Sequence, residues 1–103
     1  MFPTYEAIEK ALVAELKSRG GKSRPTDRDA KGRSVYEALA DHFQLSTAKR
    51  ERTILEGGKL GSKWGNMIRV VVRRLRDHGQ LERGEWGVWE LRAPQPLQRY
   101  SKV

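Results

Sequence analysis

Cysteine is absent from this sequence of 103 residues, which removes disulfide frameworks, thiolate-bound zinc, iron–sulfur clusters and thiol nucleophiles together. Histidine is scarce. His42 and His78 are the only two; they lie far apart and form no metal-ligand spacing. No apolar run approaches the roughly 18 residues of a membrane span. The N-terminus carries an acidic amphipathic stretch, where a targeting peptide would carry a basic region and then an apolar one. No membrane partner is expected, and a cytoplasmic, nucleoid-associated protein is. A phosphate-cradling loop is also missing, since Gly57-Gly58-Lys59 lacks the required spacing, and no nucleophile is set with a histidine. The sole Glu-x-Lys, Glu15-Leu16-Lys17, falls inside a helical pattern with no partner Asp on a strand, so it does not read as a magnesium nuclease centre. No catalytic residue, metal or cofactor is therefore expected, and the chain does not read as an enzyme by itself.

Acidic residues are outnumbered, 13 against 21 Lys and Arg, for a net charge of +8. The excess is clustered. Residues 22–33 hold five basic and two acidic residues, and residues 59–83 hold seven basic and two acidic, so these two windows contain the whole excess. A surface tuned only for solubility intersperses its signs, whereas clustered cations are the footprint of a polyanion partner.

At 37% hydrophobic residues a chain this short can bury one modest core. Residues 1–93 read as one domain and 94–103 as a flexible C-terminal tail or linker. Tyr5, Ile8, Leu12 and Leu16 repeat at three and four with acids and lysines opposite, which predicts a helix over 3–19, with Pro3 in its first turn and Gly20-Gly21 as its stop. Residues 22–33 offer almost nothing to bury and read as a loop. Ser34 with Glu37 has capping-box spacing and opens a helix over 35–44. Ser46 or Thr47 can cap a short charged helix running on through Ile54 and Leu55 to Gly57-Gly58, followed by a loop to Gly61. Ser62 caps a longer helix over 63–78, closed by Gly79. From Leu81 to Leu91 the period changes, and two short strands around a glycine-bearing turn are expected.

Helices, then a helix with a basic face, then a hairpin, is the order of a mainly α winged helix-turn-helix with a small β-hairpin, in which the last helix enters the major groove and the hairpin is the wing. Turning that helix by about 100° per residue puts Trp64, Ile68, Val71 and Leu75 on the core side. Ser62, Asn66, Arg69 and Arg73 fall opposite, with Lys63, Arg74 and Arg76 on the edges. An amide and guanidiniums on one stripe suit duplex DNA, because Asn can pair bidentately with adenine and Arg with guanine while the flanking cations neutralise phosphates. Lys59, Lys22, Arg24, Arg28 and Arg83 are expected to follow the phosphate backbone. Trp64 and Trp89 read as packing anchors; Trp86, in the opposite strand phase near the hairpin tip, reads either as cover for the adjacent strand or as a stacking group. His78 reads as a cap at the helix C-terminus.

From Asn66 to Leu91 the chain resembles the N-terminal winged-helix domain of Mrr-type, modification-dependent restriction endonucleases. The resemblance rests on Asn66, Leu75, Gly79, Leu81, Gly87, Trp89 and Leu91, with Tyr5 and the helix after it resembling the opening segment; Met67, Val70 and Gln80 depart from the pattern. It implies a DNA-recognition domain of a restriction system that reads modified or foreign DNA, with cutting done by a nuclease partner, covalent or non-covalent. Double-stranded DNA is the expected partner, and a homodimer is compatible with the same residues. A free-standing transcriptional regulator, or a protein-interaction winged helix docking an acidic partner, are the alternatives.

Overall fold

A computed structural model describes residues 2–56, 59–82 and 85–92, with only the backbone described at 54–56 and 59–60. Along the described chain run α1 (Tyr5–Ser18), β1 (Lys22–Ser23), α2 (Val35–His42), α3 (Thr47–Glu51), β2 (Thr53–Glu56), β3 (Lys59–Ser62), α4 (Lys63–Asp77) and β4 (Trp89–Glu90). The molecule is mainly helical, with two small antiparallel pairings. The tail expected over 94–103 lies outside the described residues.

The helices form where periodicity meets a cap. Thr4 Oγ1 accepts from the Ala7 N–H at 3.1 Å, so α1 starts after Pro3 and not on it. Ile8, Leu12 and Leu16, on its inner face, are fully buried, whereas Tyr5 stands at the margin, 36% exposed. Ser34 and Glu37 complete the capping box of α2: the hydroxyl accepts from the Glu37 N–H at 3.2 Å and the carboxylate from the Ser34 N–H at 2.8 Å. That helix stops at His42, short of the predicted 44, because Gln44 adopts φ 54° and lets the Leu45 N–H reach back to the Ala40 carbonyl at 3.0 Å. Ser62 Oγ accepts from the Gly65 N–H at 2.8 Å at the head of α4. Gly79 at φ 78° turns the chain out of its far end, where His78 is the C-terminal cap. Trp64, Ile68, Val71, Val72 and Leu75 close the core against α1 and α2. The Trp64 Nε1–H donates to the Tyr36 carbonyl at 3.0 Å, satisfying its one polar atom in the interior.

Three segments differ from the sequence expectation. The short third helix ends at Glu51 and does not carry Ile54 and Leu55; those residues lie in β2, which pairs with β3 in the register Thr53↔Ser62 to Glu56↔Lys59. Two residues, Gly57 and Gly58, separate the paired ends, and β-branched Thr53 and Ile54 favour the extended backbone. The segment 57–61, expected as a loop, is thus in large part β3. The segment 22–33 is not simply a loop either: Lys22 and Ser23 pair with Glu90 and Trp89, and Ser23 is buried. At the C-terminal side, Leu81 meets Leu91 in a single antiparallel bridge, and the Glu82 N–H donates to the Glu90 carbonyl at 2.8 Å. Of the two paired strands expected over 81–91, the described residues keep only this bridge, and residues 89–91 lie between Leu81 on one side and β1 on the other.

Residues 24–33, which offer almost nothing apolar to bury, are also tied down by charge. Arg19, 8% exposed, reaches from the end of α1 into this segment: its Nε donates to Glu15 at 2.7 Å and its other nitrogens to the Asp27 and Arg33 carbonyls at 2.8 and 3.1 Å. Asp29 accepts from the Lys31 and Arg33 N–H groups, each at 2.9 Å, and pairs with the Arg33 guanidinium. Arg33 and Arg50 then converge on Asp41 at 3.2 and 2.8 Å, joining the segment to α2 and to α3.

Candidate nucleic-acid interface

The face of α4 turned away from the core carries Ser62, Asn66, Arg69 and Arg73, as the helical phase predicts. Arg69 and Arg73 are exposed, and among the described residues neither has an ion pair or hydrogen-bond partner. Asn66 and Ser62 are half-buried between them and the head of the helix. The Arg69 guanidinium lies 3.1 Å from where a β-carbon on Gly65 would sit, so the glycine leaves room for it beside the first turn. No acidic residue occupies that turn, and the positive end of the helix dipole adds to the cationic side chains.

The flanking cations have other duties. Arg74, expected on the edge of the stripe, faces α1, where its Nε pairs with Glu9 at 2.9 Å and its guanidinium sits 5.4 Å from the centre of the Tyr5 ring. Arg76 donates to the Val88 carbonyl at 3.3 Å, and its buried Nε has no partner. Lys63 lies over the Phe2 ring at 5.4 Å. Arg24 pairs with Glu85 at 2.8 Å and Arg28 with Glu37 at 3.1 Å, both in solvent-exposed positions. Lys22 is exposed on β1. Arg83 and the side chain of Lys59 lie outside the described residues.

The charge excess of 22–33 is therefore partly neutralised within the fold, and the free guanidiniums of α4 sit on the stripe itself. One cation escaped the sequence reading. Arg52 is exposed, and its carbonyl accepts from the Lys63 N–H at 2.9 Å, so it stands beside the head of α4. Only the pairing of β2 with β3, which folds Arg52 back onto Lys63, could have revealed it.

Carboxylates respond to this network. Asp29 is held down to about 2 by the Arg33 N–H first, with the Arg33 side chain and the Lys31 N–H adding to it against some desolvation. Asp41 is lowered by hydrogen bonds from Arg50 and then Arg33. Glu37 is lowered chiefly by the Ser34 N–H, with the Arg28 charge contributing.

Trp86 stands apart from the other tryptophans: Trp64 and Trp89 are buried, and Trp86 is 93% exposed, so it does not cover the adjacent strand. Among the described residues no group of three His, Asp or Glu side chains could hold a metal ion, and no helix is long and apolar enough to cross a membrane. Comparison with protein-family models, with curated proteins and with solved structures finds no match to this chain.

Proposed function

We propose that this chain is a double-stranded DNA-binding module of the winged helix-turn-helix kind, with α4 in the major groove and the hairpin 81–91 alongside as the wing. The observation that carries this reading is the pair Arg69 and Arg73, exposed and without intramolecular partners among the described residues, on the same face as Asn66. In a protein that pairs Arg19, Arg24, Arg28, Arg33, Arg50 and Arg74 internally, two guanidiniums left facing solvent on one helix are available to phosphates and base edges. The order of elements supports it as well, since α4 is followed by a segment in which Leu81 bridges Leu91 and Trp89–Glu90 pairs with β1. The specific form of the proposal is the recognition module of a restriction system, which follows from the resemblance of 66–91 to the Mrr-type domain.

The test is a gel-shift series with modified and unmodified duplexes over a range of salt. Arg69→Ala and Asn66→Ala are expected to cost about 1–3 kcal/mol on a preferred site and much less on random DNA. Equal loss on every sequence reduces these residues to phosphate contacts, and wild-type affinity in both variants removes α4 from the interface. Capture of an acidic protein that plain duplex does not compete away replaces DNA by a protein partner.

A further inference from the structure

We propose that Trp86 is a base-stacking element: with α4 seated on duplex DNA, its indole inserts against a nucleobase at a locally unstacked step. The inference rests on the DNA-binding reading above and goes beyond it in assigning the hairpin tip to the bases and not to the backbone.

Geometry makes the turn that carries the indole a defined platform, with the ring itself 93% exposed. The Val88 N–H donates to the Glu85 carbonyl at 3.2 Å, closing a four-residue turn with Trp86 and Gly87 at its corners. Gly87 has φ 81°, the left-handed backbone required at the third position of a type II turn, which leaves Trp86 at the outward second position. Two arginines brace the turn. Arg24 pairs with Glu85 at 2.8 Å and brings its Nη1 within 3.3 Å of a β-carbon position on Gly87. Arg76, from the last turn of α4, donates to the Val88 carbonyl at 3.3 Å. A turn braced in this way presents the ring on a backbone that needs little further ordering on binding.

Charge selects the occupant. The acid next to the indole, Glu85, is already matched by Arg24. Arg69, Arg73 and Arg76 are spaced by four and three residues and so share one side of α4; Arg69 and Arg73 are exposed, and Arg76 reaches the Val88 carbonyl two residues from Trp86. An apolar ring beside a cationic helix side fits a ligand with a charged backbone and flat apolar faces. Apolar side chains pushed between base steps, and aromatic rings stacked on single bases, are established ways of meeting such a ligand.

The experiment uses the whole chain with three probes: a plain duplex, the same duplex with a single mismatch, and that duplex carrying 2-aminopurine as a reporter of unstacking. The wild type is expected to favour the mismatched duplex, raise 2-aminopurine emission, and lose indole emission on saturation. Trp86→Ala is expected to bind the mismatched duplex about tenfold more weakly, abolish the 2-aminopurine response and remove the indole quenching, with an unchanged melting temperature because the side chain is exposed. Trp86→Phe should restore most of the affinity. If Trp86→Ala binds every probe as the wild type does while Arg69→Ala is impaired, the stacking role falls and the DNA-binding reading stands. If the wild type binds no duplex, both fall. If Trp86→Ala dissociates a dimer and leaves DNA affinity unchanged, the ring belongs to a contact between copies of this chain, and the stacking role is overturned.

Discussion

Asp29 shows how much a single side chain can organise. It accepts two backbone N–H groups and a guanidinium within its own turn, and its carboxyl is held at about 2 against an ordinary 3.8. A carboxyl lowered by folding stabilises the native state above its unfolded value, and that contribution is lost as the pH falls through 3.8 towards about 2. Asp41 and Glu37, both lowered, act in the same acidic direction. Thermal unfolding followed from neutral to strongly acidic pH should therefore show the melting temperature falling as these groups protonate. Asp29→Asn should melt lower at neutral pH and lose less on acidification; coincident profiles for the two proteins would show that the bonds to Asp29 contribute nothing to stability. The role was hidden in the sequence, where Asp29 reads as one charge in a polar stretch. Its partners Arg33 and Lys31 are close in the chain, but Arg19 and the link through Arg33 to Asp41 depend on α1 and α2 being packed.

Elements that carry their own boundaries were legible. The capping box of Ser34 and Glu37, Ser62 before α4, and Gly20 and Gly79 after their helices are local signals, and the local bonds they predict are present. Elements defined by a partner were not. β1 is two residues long and exists only because Trp89 and Glu90 lie beside it. Ile54 and Leu55 could serve equally as the tail of an amphipathic helix or as a strand, and the strand prevails because β3 is within reach across Gly57-Gly58. The stripe on α4 was legible from its phase; the diversion of Arg74 to Glu9 and of Arg76 to Val88 was not, because both partners come from other elements. The end of α2 offers a prediction at this scale. Gln44 holds φ 54°, a conformation that costs an L-residue about 1 kcal/mol or more and that glycine adopts freely. Gln44→Gly is expected to stabilise the protein by about 0.5–1 kcal/mol in urea unfolding, and a loss of stability would mean that the Gln side chain matters more than its backbone angle.

Across the whole molecule the +8 net charge divides into cations paired within the fold, such as Arg33, Arg50 and Arg74, and exposed cations such as Arg69 and Arg73, a division that neither composition nor clustering reveals. From sequence alone, changing Lys22, Arg24 and Arg28 to Ala would lower the slope of log affinity against log salt by up to about 2–3 on duplex DNA, at roughly 0.9 per phosphate. With Arg24 and Arg28 already facing Glu85 and Glu37, the triple variant is now expected to lower it by no more than about 1, and a fall of 2 or more would show that these pairs open on binding. The pairing of β1 with β4 has a different consequence, for biosynthesis. Lys22 and Ser23 leave the ribosome well before their partners Trp89 and Glu90. Helices can form as they appear, but a contact between distant segments must wait for the later one. A nascent chain halted before Trp89 thus exposes the backbone edge of β1 and leaves Tyr36 without the ring that packs against it. Protection of the 22–33 segment from protease on stalled ribosomes should appear abruptly once Leu91 has cleared the exit tunnel, making β4 the timer of this fold's maturation.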